Sequence, residues 1–120
     1  MIQINSKDPK PIFQQIIDQI SQLIALNLIK ADEQLPSVRS LAKDLAINPN
    51  TVARAYREAE LQGLIYSIPG KGYYVNDDEK GINSYKMEAY ETLEEHVINL
   101  LNLDETIDDI ISFIKEVKHD

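Results

Sequence analysis

Cysteine is absent from the 120-residue sequence, and so is any long apolar run. Without cysteine the chain has no disulfide bonds or thiolate metal sites, which suits a reducing compartment. Residues 1–5 lack the basic region and apolar run with which a signal peptide starts. No apolar stretch approaches the ~18 residues of a membrane-spanning helix. We therefore expect a cytoplasmic protein without a membrane partner.

Positive charge is also scarce, with 12 Lys+Arg against 20 Asp+Glu and a net charge of −8. This balance argues against a nucleic-acid partner until its distribution is considered. Residues 1–75 contain 8 Lys+Arg and 7 Asp+Glu, a net charge of +1, whereas residues 76–120 contain 4 and 13, a net charge of −9. The asymmetry indicates two parts with different tasks. The weakly basic first part predicts only modest non-specific affinity for DNA.

Two short helices joined by a tight turn are predicted between residues 37 and 62. Ser37 is suited to cap the first helix, because its hydroxyl can accept a hydrogen bond from an unpaired N–H of the first turn. Asn48 caps the second helix, and Pro49 occupies its first position, where a missing N–H costs nothing. Apolar residues recur at helical spacing in both: Val38, Leu41, Ala42 and Leu45, then Val52, Ala55, Tyr56 and Ala59. The connection Ala46-Ile47 allows only a sharp turn, as in a helix-turn-helix.

A β-hairpin is predicted directly after these helices. Gly63 suits a helix C-terminus, and Pro69-Gly70 suits the centre of a type II turn. Alternating residues mark the two strands: Leu64, Tyr66 and Ile68, then Tyr73 and Val75. A helix-turn-helix followed by such a wing makes DNA binding the leading hypothesis. Asn50, Arg54 and Arg57 then lie along one outward face of the second of these helices.

The flanking segments complete a mainly α fold with a small β-wing. A first helix has an apolar stripe opposite a glutamine-rich face: Ile12, Phe13, Ile16, Ile17, Ile20, Leu23 and Ile24 form the stripe. The sequence predicts a winged helix-turn-helix domain over residues 1–76, a polar linker over 77–83 and a two-helix tail over 84–120, with Asp104 as the cap of the last helix. The tail helices cannot bury both of their apolar stripes alone. They need either the winged domain or a second copy, and we expect a homodimer.

Several spaced motifs resemble those of the GntR-type winged-helix transcription regulators: Pro11-Ile12-Phe13, Leu35-Pro36-Ser37, Asn50-Thr51-Val52, Gly63-Leu64-Ile65 and Gly70-Lys71-Gly72. The resemblance extends over about residues 8–76, and the short tail is similar to the YtrA subfamily. It implies a dimeric repressor, often of operons for ABC transporters. The expected partner is double-stranded DNA with a palindromic operator.

By this resemblance the family's DNA-contacting positions correspond to Arg39, to the turn and helix start at 48–51, and to the wing. With the exposed helix face, the candidate DNA-binding residues are Ser37, Arg39, Asn48, Asn50, Thr51, Arg54, Arg57, Gly70, Lys71 and Gly72. Asn50 can pair with adenine, and Arg39 with guanine or a phosphate. Lys71 at the wing tip can enter the minor groove or touch a phosphate.

Four of the candidates also have a structural alternative. Arg39 could be solvated and paired with Asp44, and Asn50 could be a second capping residue. Arg54 could form an i,i+4 ion pair with Glu58, which would contribute only about 0.3–0.5 kcal/mol. Lys71 could be an ordinary exposed lysine on a turn.

No enzyme site is recognisable in the sequence. His96 lies among glutamates, but His119 is the only other histidine, so no metal-ligand spacing is met. No nucleotide loop and no Ser/His/Asp set can be assembled. We expect no catalysis, metal or cofactor, and the sequence identifies no small-molecule effector. A second hypothesis is a winged-helix interaction module that docks a basic partner through its acidic tail.

Overall fold

The structure is a computed structural model that describes residues 2–118. It is mainly α-helical with a two-stranded wing, as predicted. The elements are α1 (Ile12–Ala25), α2 (Val38–Leu45), α3 (Pro49–Leu61), β1 (Ile65–Ile68), β2 (Gly72–Val75), α4 (Lys80–Asn102) and α5 (Ile107–Glu116). The chain forms two compact units, one ending at Tyr85 and the other beginning at Lys86. Among the described residues, no helix combines the length and apolarity needed to cross a membrane.

The core of the first unit lies between its first three helices. Ile16, Ile17 and Ile20 of α1 are fully buried. The predicted inner stripe of α3 is fully buried as well: Val52, Ala55, Tyr56 and Ala59. Burying the side chain of an isoleucine or a valine stabilises the fold by about 1.5–3 kcal/mol. Packing on α1 therefore fixes α3 with its opposite face outward.

Side-chain caps determine where α2 and α3 begin. Ser37 Oγ accepts a hydrogen bond from Ser40 N–H at 3.0 Å, and Asn48 Oδ1 accepts one from Asn50 N–H at 2.8 Å. Both predicted caps are confirmed. Between the helices Ala46 adopts a left-handed conformation with a φ of 55°. This left-handed residue ends α2 and sets the direction in which the chain leaves it.

The wing is an antiparallel hairpin in which Ile65 pairs with Val75. Its tip is the predicted type II turn, because Gly70 has a φ of 78° and Lys71 N–H donates to the Ile68 carbonyl at 2.9 Å. Segment 32–35 pairs with the free edge of β2. Its hydrogen bonds run from Asp32 N–H to Val75 O, from Val75 N–H to Glu33 O and from Leu35 N–H to Tyr73 O.

The predicted alternation of β1 was wrong by one residue. Ile65 is buried together with Val75, whereas Tyr66 lies on the other face of the hairpin. There its ring stacks on Tyr74 with centroids 5.6 Å apart, and its hydroxyl donates to Asp32 at 2.7 Å. Leu64 is also buried because it precedes the strand and packs at the end of α3.

Two glutamine side chains fasten the N-terminal segment to α1. Gln19 Oε1 accepts a hydrogen bond from Gln3 N–H at 2.8 Å, and its Nε2 donates to the Gln3 carbonyl. Gln15 makes the same pair with Asn5, at 2.9 Å and 3.1 Å. Four helical residues rise about 6 Å and two extended residues about 6.7 Å, so the two amides match the spacing of a strand. Gln15 is only 7% exposed, although it belongs to the glutamine-rich face opposite the apolar stripe.

The expected linker over residues 77–83 requires a correction, because α4 begins at Lys80 and residues 80–83 are helical. Gly81 is buried in the first unit. A Cβ on Gly81 would lie 2.3 Å from the carbonyl oxygen of Gly63, so only glycine permits this approach of the two backbones. The first unit therefore includes the start of α4.

A polar cluster around Asp18 ties the same turns of α4 to α1. The Tyr85 hydroxyl donates to the Asp18 carboxylate, and Lys10 Nζ lies 2.7 Å from it. Burial alone would raise the pKa of Asp18, but hydrogen bonds from Lys10, Tyr85 and Gln14 hold that pKa below its ordinary value. Burial, together with the bond to Asp18, raises the pKa of Tyr85. The bond to Asp18 raises the pKa of Lys10.

The second unit contains the rest of α4 and α5. Thr106 caps α5, because its Oγ1 accepts a hydrogen bond from Asp109 N–H at 3.1 Å. The predicted cap, Asp104, is wrong: it lies two residues earlier with a φ of 71°, a left-handed conformation that aspartate tolerates. Within residues 86–118, Ile110 is the one buried hydrophobic side chain.

Candidate nucleic-acid interface

The outward face of α3 presents the residues that the sequence selected for base contact. Asn50, Arg54 and Arg57 are exposed, opposite the fully buried stripe, and Thr51 is half-buried at the first turn. Ser37, Arg39 and Asn48 are exposed at the starts of the two helices. Gly70 and Lys71 are exposed at the wing tip, and Gly72 beside them is half-buried. Each candidate thus has at least part of its surface available to a partner.

Capping divides the roles of the polar residues at the start of α3. The oxygen of the Asn48 side chain is engaged by Asn50 N–H, and the Asn48 backbone carbonyl accepts from Thr51 N–H at 3.0 Å. Asn48 is therefore the capping residue. The Asn50 side chain makes no intramolecular hydrogen bond within residues 2–118, so its amide retains the donor and acceptor that adenine recognition requires.

The start of α2 offers a second set of donors. Ser37 Oγ is occupied by Ser40 N–H, which leaves the N–H groups of Val38 and Arg39 without an acceptor in the described part of the chain. Unpaired N–H groups at a helix start attract anions such as phosphate. Ser37 therefore orients this helix terminus through its cap.

Arg54 is held by two neighbours. Its guanidinium carbon lies 3.7 Å from the centre of the Phe13 ring, and its Nε lies 3.8 Å from Glu58 Oε1. The ion pair with Glu58 is the alternative that the sequence left open. The contact with Phe13 of α1 was not foreseen. A cation–π contact at such an exposed site contributes about 0.5–1 kcal/mol, which restrains the side chain without burying its charge.

The other cations near these elements are unpaired. Within residues 2–118, Arg39, Lys43, Arg57 and Lys71 have no carboxylate at ion-pairing distance. The expected alternative of an Arg39–Asp44 pair does not form. Glu60, which could oppose an anionic partner, accepts hydrogen bonds from Ser67 N–H at 3.0 Å and from its hydroxyl at 2.7 Å. The Glu60 carboxylate is therefore held against Ser67 of β1.

Gln34 supports the wing tip. Its Nε2 donates to the Lys71 carbonyl at 2.9 Å, and a Cβ on Gly72 would lie 3.2 Å from the same nitrogen. Gly72 also has a φ of 126°, where other residues are strained. Glycine at 72 thus allows the amide of Gln34 to reach the strand. The backbone of Lys71 is fixed while its side chain remains exposed.

Tyr56 joins the core of α3 to the entrance of α2. Its hydroxyl donates to the Pro36 carbonyl at 2.7 Å, and its ring makes an edge contact with Tyr73, at 5.0 Å between centroids. Burial, with a smaller contribution from Tyr73, raises the pKa of Tyr56. One buried side chain therefore contacts both the residue preceding Ser37 and the second strand of the wing.

Phe13 and Gln34 are the supporting residues that sequence reasoning missed. Phe13 was assigned to the apolar stripe of α1. Helical periodicity within α1 cannot predict that Arg54 from α3 lies over its ring. Gln34 belongs to no periodic element, so no sequence pattern marked it. Both act through contacts between distant parts of the chain.

Comparison with known proteins identifies the same elements. A family model described as "Bacterial regulatory proteins, gntR family" matches residues 12–75. The HTH-type transcriptional repressor YtrA of Bacillus subtilis (strain 168) is 42% identical over 80 residues, 67% of this chain and 62% of that protein. The chain thus matches less than two thirds of that relative's length. The expected likeness to YtrA-type regulators is confirmed.

Solved structures agree with the fold. A GntR family transcriptional regulator from Listeria monocytogenes has a TM-score of 0.76 and 34% identity, covering 93% of this chain and 99% of its own. AraR(DBD) in complex with operator ORE1 has a TM-score of 0.53 and 27% identity, covering 62% of this chain and 92% of its own. The predicted winged helix-turn-helix is therefore confirmed.

Proposed function

Because the chain belongs to the GntR family of DNA-binding transcription regulators, we propose that it is a homodimeric repressor of an inverted-repeat operator. In this proposal α3 enters the major groove and the wing contacts the flanking DNA. The observation that carries the proposal is the outward face of α3. Asn50 and Arg57 are exposed there without an intramolecular partner among residues 2–118, directly opposite a fully buried stripe.

The proposed contacts follow from side-chain chemistry. Asn50 reads an adenine edge, and Arg39 reads guanine or clamps a phosphate. Arg54 and Thr51 complete the contact at the first two turns of α3. Arg57 and Lys71 meet phosphates, with Gly70 and Gly72 allowing the wing tip to approach the duplex. Ser37 and Asn48 orient the helix starts at the DNA surface.

Dimerisation is proposed through the tail, residues 84–120. The apolar stripes expected on its two helices are largely exposed: Tyr90 69%, Leu93 45% and Leu101 39% on α4, Ile107 52%, Ile111 43% and Ile114 48% on α5, and Val117 62% directly after α5. So many exposed apolar side chains on two neighbouring helices favour an interface with a second copy. A two-fold dimer presents its recognition helices in opposite directions, which requires an inverted repeat. The division into a DNA-binding and a dimerisation part remains part of this proposal.

The target genes are proposed from the resemblance to YtrA-type regulators, which implies an operon for a transporter. Such a repressor acts on the chromosome, in the cytoplasm. The acidic tail supports a second candidate, in which the winged helix is an interaction module for a basic protein. The tail charge of −9 is the observation that favours it.

A binding experiment separates the two candidates. Selection from random DNA with the purified chain would supply the operator, which is then titrated as a labelled palindrome and as a single half-site over a range of salt concentrations. If about three of the five cations Arg39, Lys43, Arg54, Arg57 and Lys71 meet phosphates, a dimer neutralises about six. The logarithm of affinity should then fall against the logarithm of salt concentration with a slope of about −5. Equal affinity for both DNAs, or a slope near zero, would favour the interaction module.

A further inference from the structure

A cavity of about 530 Å³ opens in the first unit, outside the face assigned to DNA. The N-terminal segment, the end of α1, segment 33–36 and α2 surround it. Its floor belongs to the core, since Ile29, Leu35 and Leu41 are 4–6% exposed. A volume between about 300 and 1,000 Å³ is usual for small-molecule sites. The cavity is therefore large enough for an organic ligand.

The charged side chains that line the cavity within residues 2–118 all have one sign. Glu33 and Asp44 contribute to this lining, which over the described range includes no lysine, arginine or histidine. Both side chains are exposed, and neither forms an ion pair with another residue in the range 2–118. Glu33 accepts one long hydrogen bond of 3.4 Å from Lys30 N–H. Two carboxylates without counterions beside an apolar floor complement a molecule with a positive end and an apolar body.

We propose that this cavity binds a small amphiphilic organic cation. The apolar body lies against Leu35, Leu41 and Leu45, and the cationic group meets Glu33 and Asp44. Burial of the apolar body supplies affinity, and the carboxylates select the sign of the charge. An anion of the same shape is rejected, because both carboxylates repel it.

The occupied cavity affects the wing through segment 33–36. The side chains of Glu33 and Leu35 line the cavity, while their backbones pair with β2: Glu33 O accepts from Val75 N–H at 2.9 Å, and Leu35 N–H donates to Tyr73 O at 2.8 Å. Between them Gln34 supports the wing tip through Lys71. A ligand that displaces this segment changes the position of Lys71 and hence operator affinity. This consequence rests on the proposed DNA-binding function, whereas binding of the cation does not.

The test uses the full chain and three probes of equal length below their aggregation concentrations: n-octylammonium, n-octanol and n-octanoate. Amide chemical shifts from two-dimensional NMR report both the dissociation constant and the location. We expect n-octylammonium to shift the amides of Ile29, Leu35 and Leu45, with a dissociation constant about 3- to 10-fold below those of the other two probes. The variant Glu33→Gln/Asp44→Asn should lose this preference. The matched variant Glu105→Gln/Asp108→Asn removes the same charge from the second unit and should keep it.

Three results would overturn the cation site. They are equal affinity for all three probes, shifts centred on the exposed tail residues, or an unchanged preference in Glu33→Gln/Asp44→Asn. Because both substituted side chains are exposed, this variant should fold like the wild type, which its NMR spectrum verifies. Operator affinity is measured separately with and without n-octylammonium. Binding in the cavity with an unchanged operator affinity would overturn the coupling to the wing, and absence of any operator would refute the proposed function while the cation site stands.

Discussion

Tyr56 shows how a single side chain connects stability with the placement of α2 and α3. The residue is fully buried, yet its hydroxyl bonds to the carbonyl of Pro36, next to the cap of α2. The sequence placed the ring correctly, because its position in the α3 stripe is periodic. The hydrogen-bond partner lies 20 residues away in an irregular segment, and helical periodicity contains no information about it.

Replacing this hydroxyl tests its contribution. Tyr56→Phe should lower the free energy of unfolding at neutral pH by about 1–2 kcal/mol, because the buried hydrogen bond is lost while the ring packing remains. Urea denaturation followed by circular dichroism measures the change. Tyr66→Phe serves as the control, since it removes an exposed hydroxyl bonded to Asp32 and should have a much smaller effect. An equal loss in both variants would contradict the role of burial.

The wild type and Tyr56→Phe should also differ in how their stability changes in alkaline solution. The pKa of Tyr56 is raised above its ordinary 10.0 in the folded state, so the native protein holds this proton more tightly than the unfolded chain. Its contribution to stability is complete below about pH 10 and is lost as the pH rises further. The stability of the wild type should therefore fall more steeply above pH 10 than that of Tyr56→Phe. Parallel curves would show that Tyr56 does not determine the alkaline transition.

Arg39 and Lys71 should differ in the kind of affinity they provide. Arg39→Ala should cost about 1–3 kcal/mol of operator binding and relax preference at one base pair if the residue reads a base. Lys71→Ala should weaken binding to all sequences about equally and reduce the salt slope by about one for each protomer. Titrations on the operator and on single-base variants measure both effects. The reverse pattern would exchange the two roles.

At the scale of elements, hydrophobic periodicity and capping chemistry predicted most of the first unit. The caps of α2 and α3 and the turn of the wing follow local rules, and all three are confirmed. The start of α4 was missed because residues 80–83 are mostly polar and include Gly81, a composition typical of a loop. Only the contact with Gly63, far away in the chain, explains that glycine. Local sequence patterns contain no information about contacts between residues so far apart in the chain.

The position of the wing tip depends on Gln34, a residue outside the hairpin. Gln34→Ala should raise the dissociation constant for the operator by about 2- to 10-fold, since one neutral hydrogen bond to the Lys71 carbonyl is lost. The salt slope should stay unchanged, because the charge of Lys71 remains. Filter binding over a salt series separates this effect from that of Lys71→Ala. Gln22→Ala on the exposed side of α1 should leave both quantities unaltered, and a similar loss there would argue against a specific support.

At the scale of the whole molecule, self-association is expected to reside in the tail. A chain that ends at Tyr85 keeps Gly81 and Tyr85 with the first unit and should be monomeric in sedimentation equilibrium. Its operator affinity should fall strongly, since two half-sites are no longer bound together. In the full chain, Leu101→Glu/Ile111→Glu should have the same effect by charging exposed apolar positions. A dimer in either case would locate the interface elsewhere.

The two glutamines that bind the N-terminal segment have a consequence for hydrogen exchange. Gln3 and Asn5 belong to no helix or strand, yet their N–H groups donate to the side chains of Gln19 and Gln15. Their amides should exchange with deuterium more slowly than those of Lys7 and Lys10, whose acceptors are exposed side chains nearby in sequence. Gln19→Ala should accelerate exchange at Gln3 more than at Asn5. Exchange protection of Gln3 and Asn5 thus depends on the rotamers of Gln19 and Gln15. The N-terminal segment can exchange without any unwinding of α1.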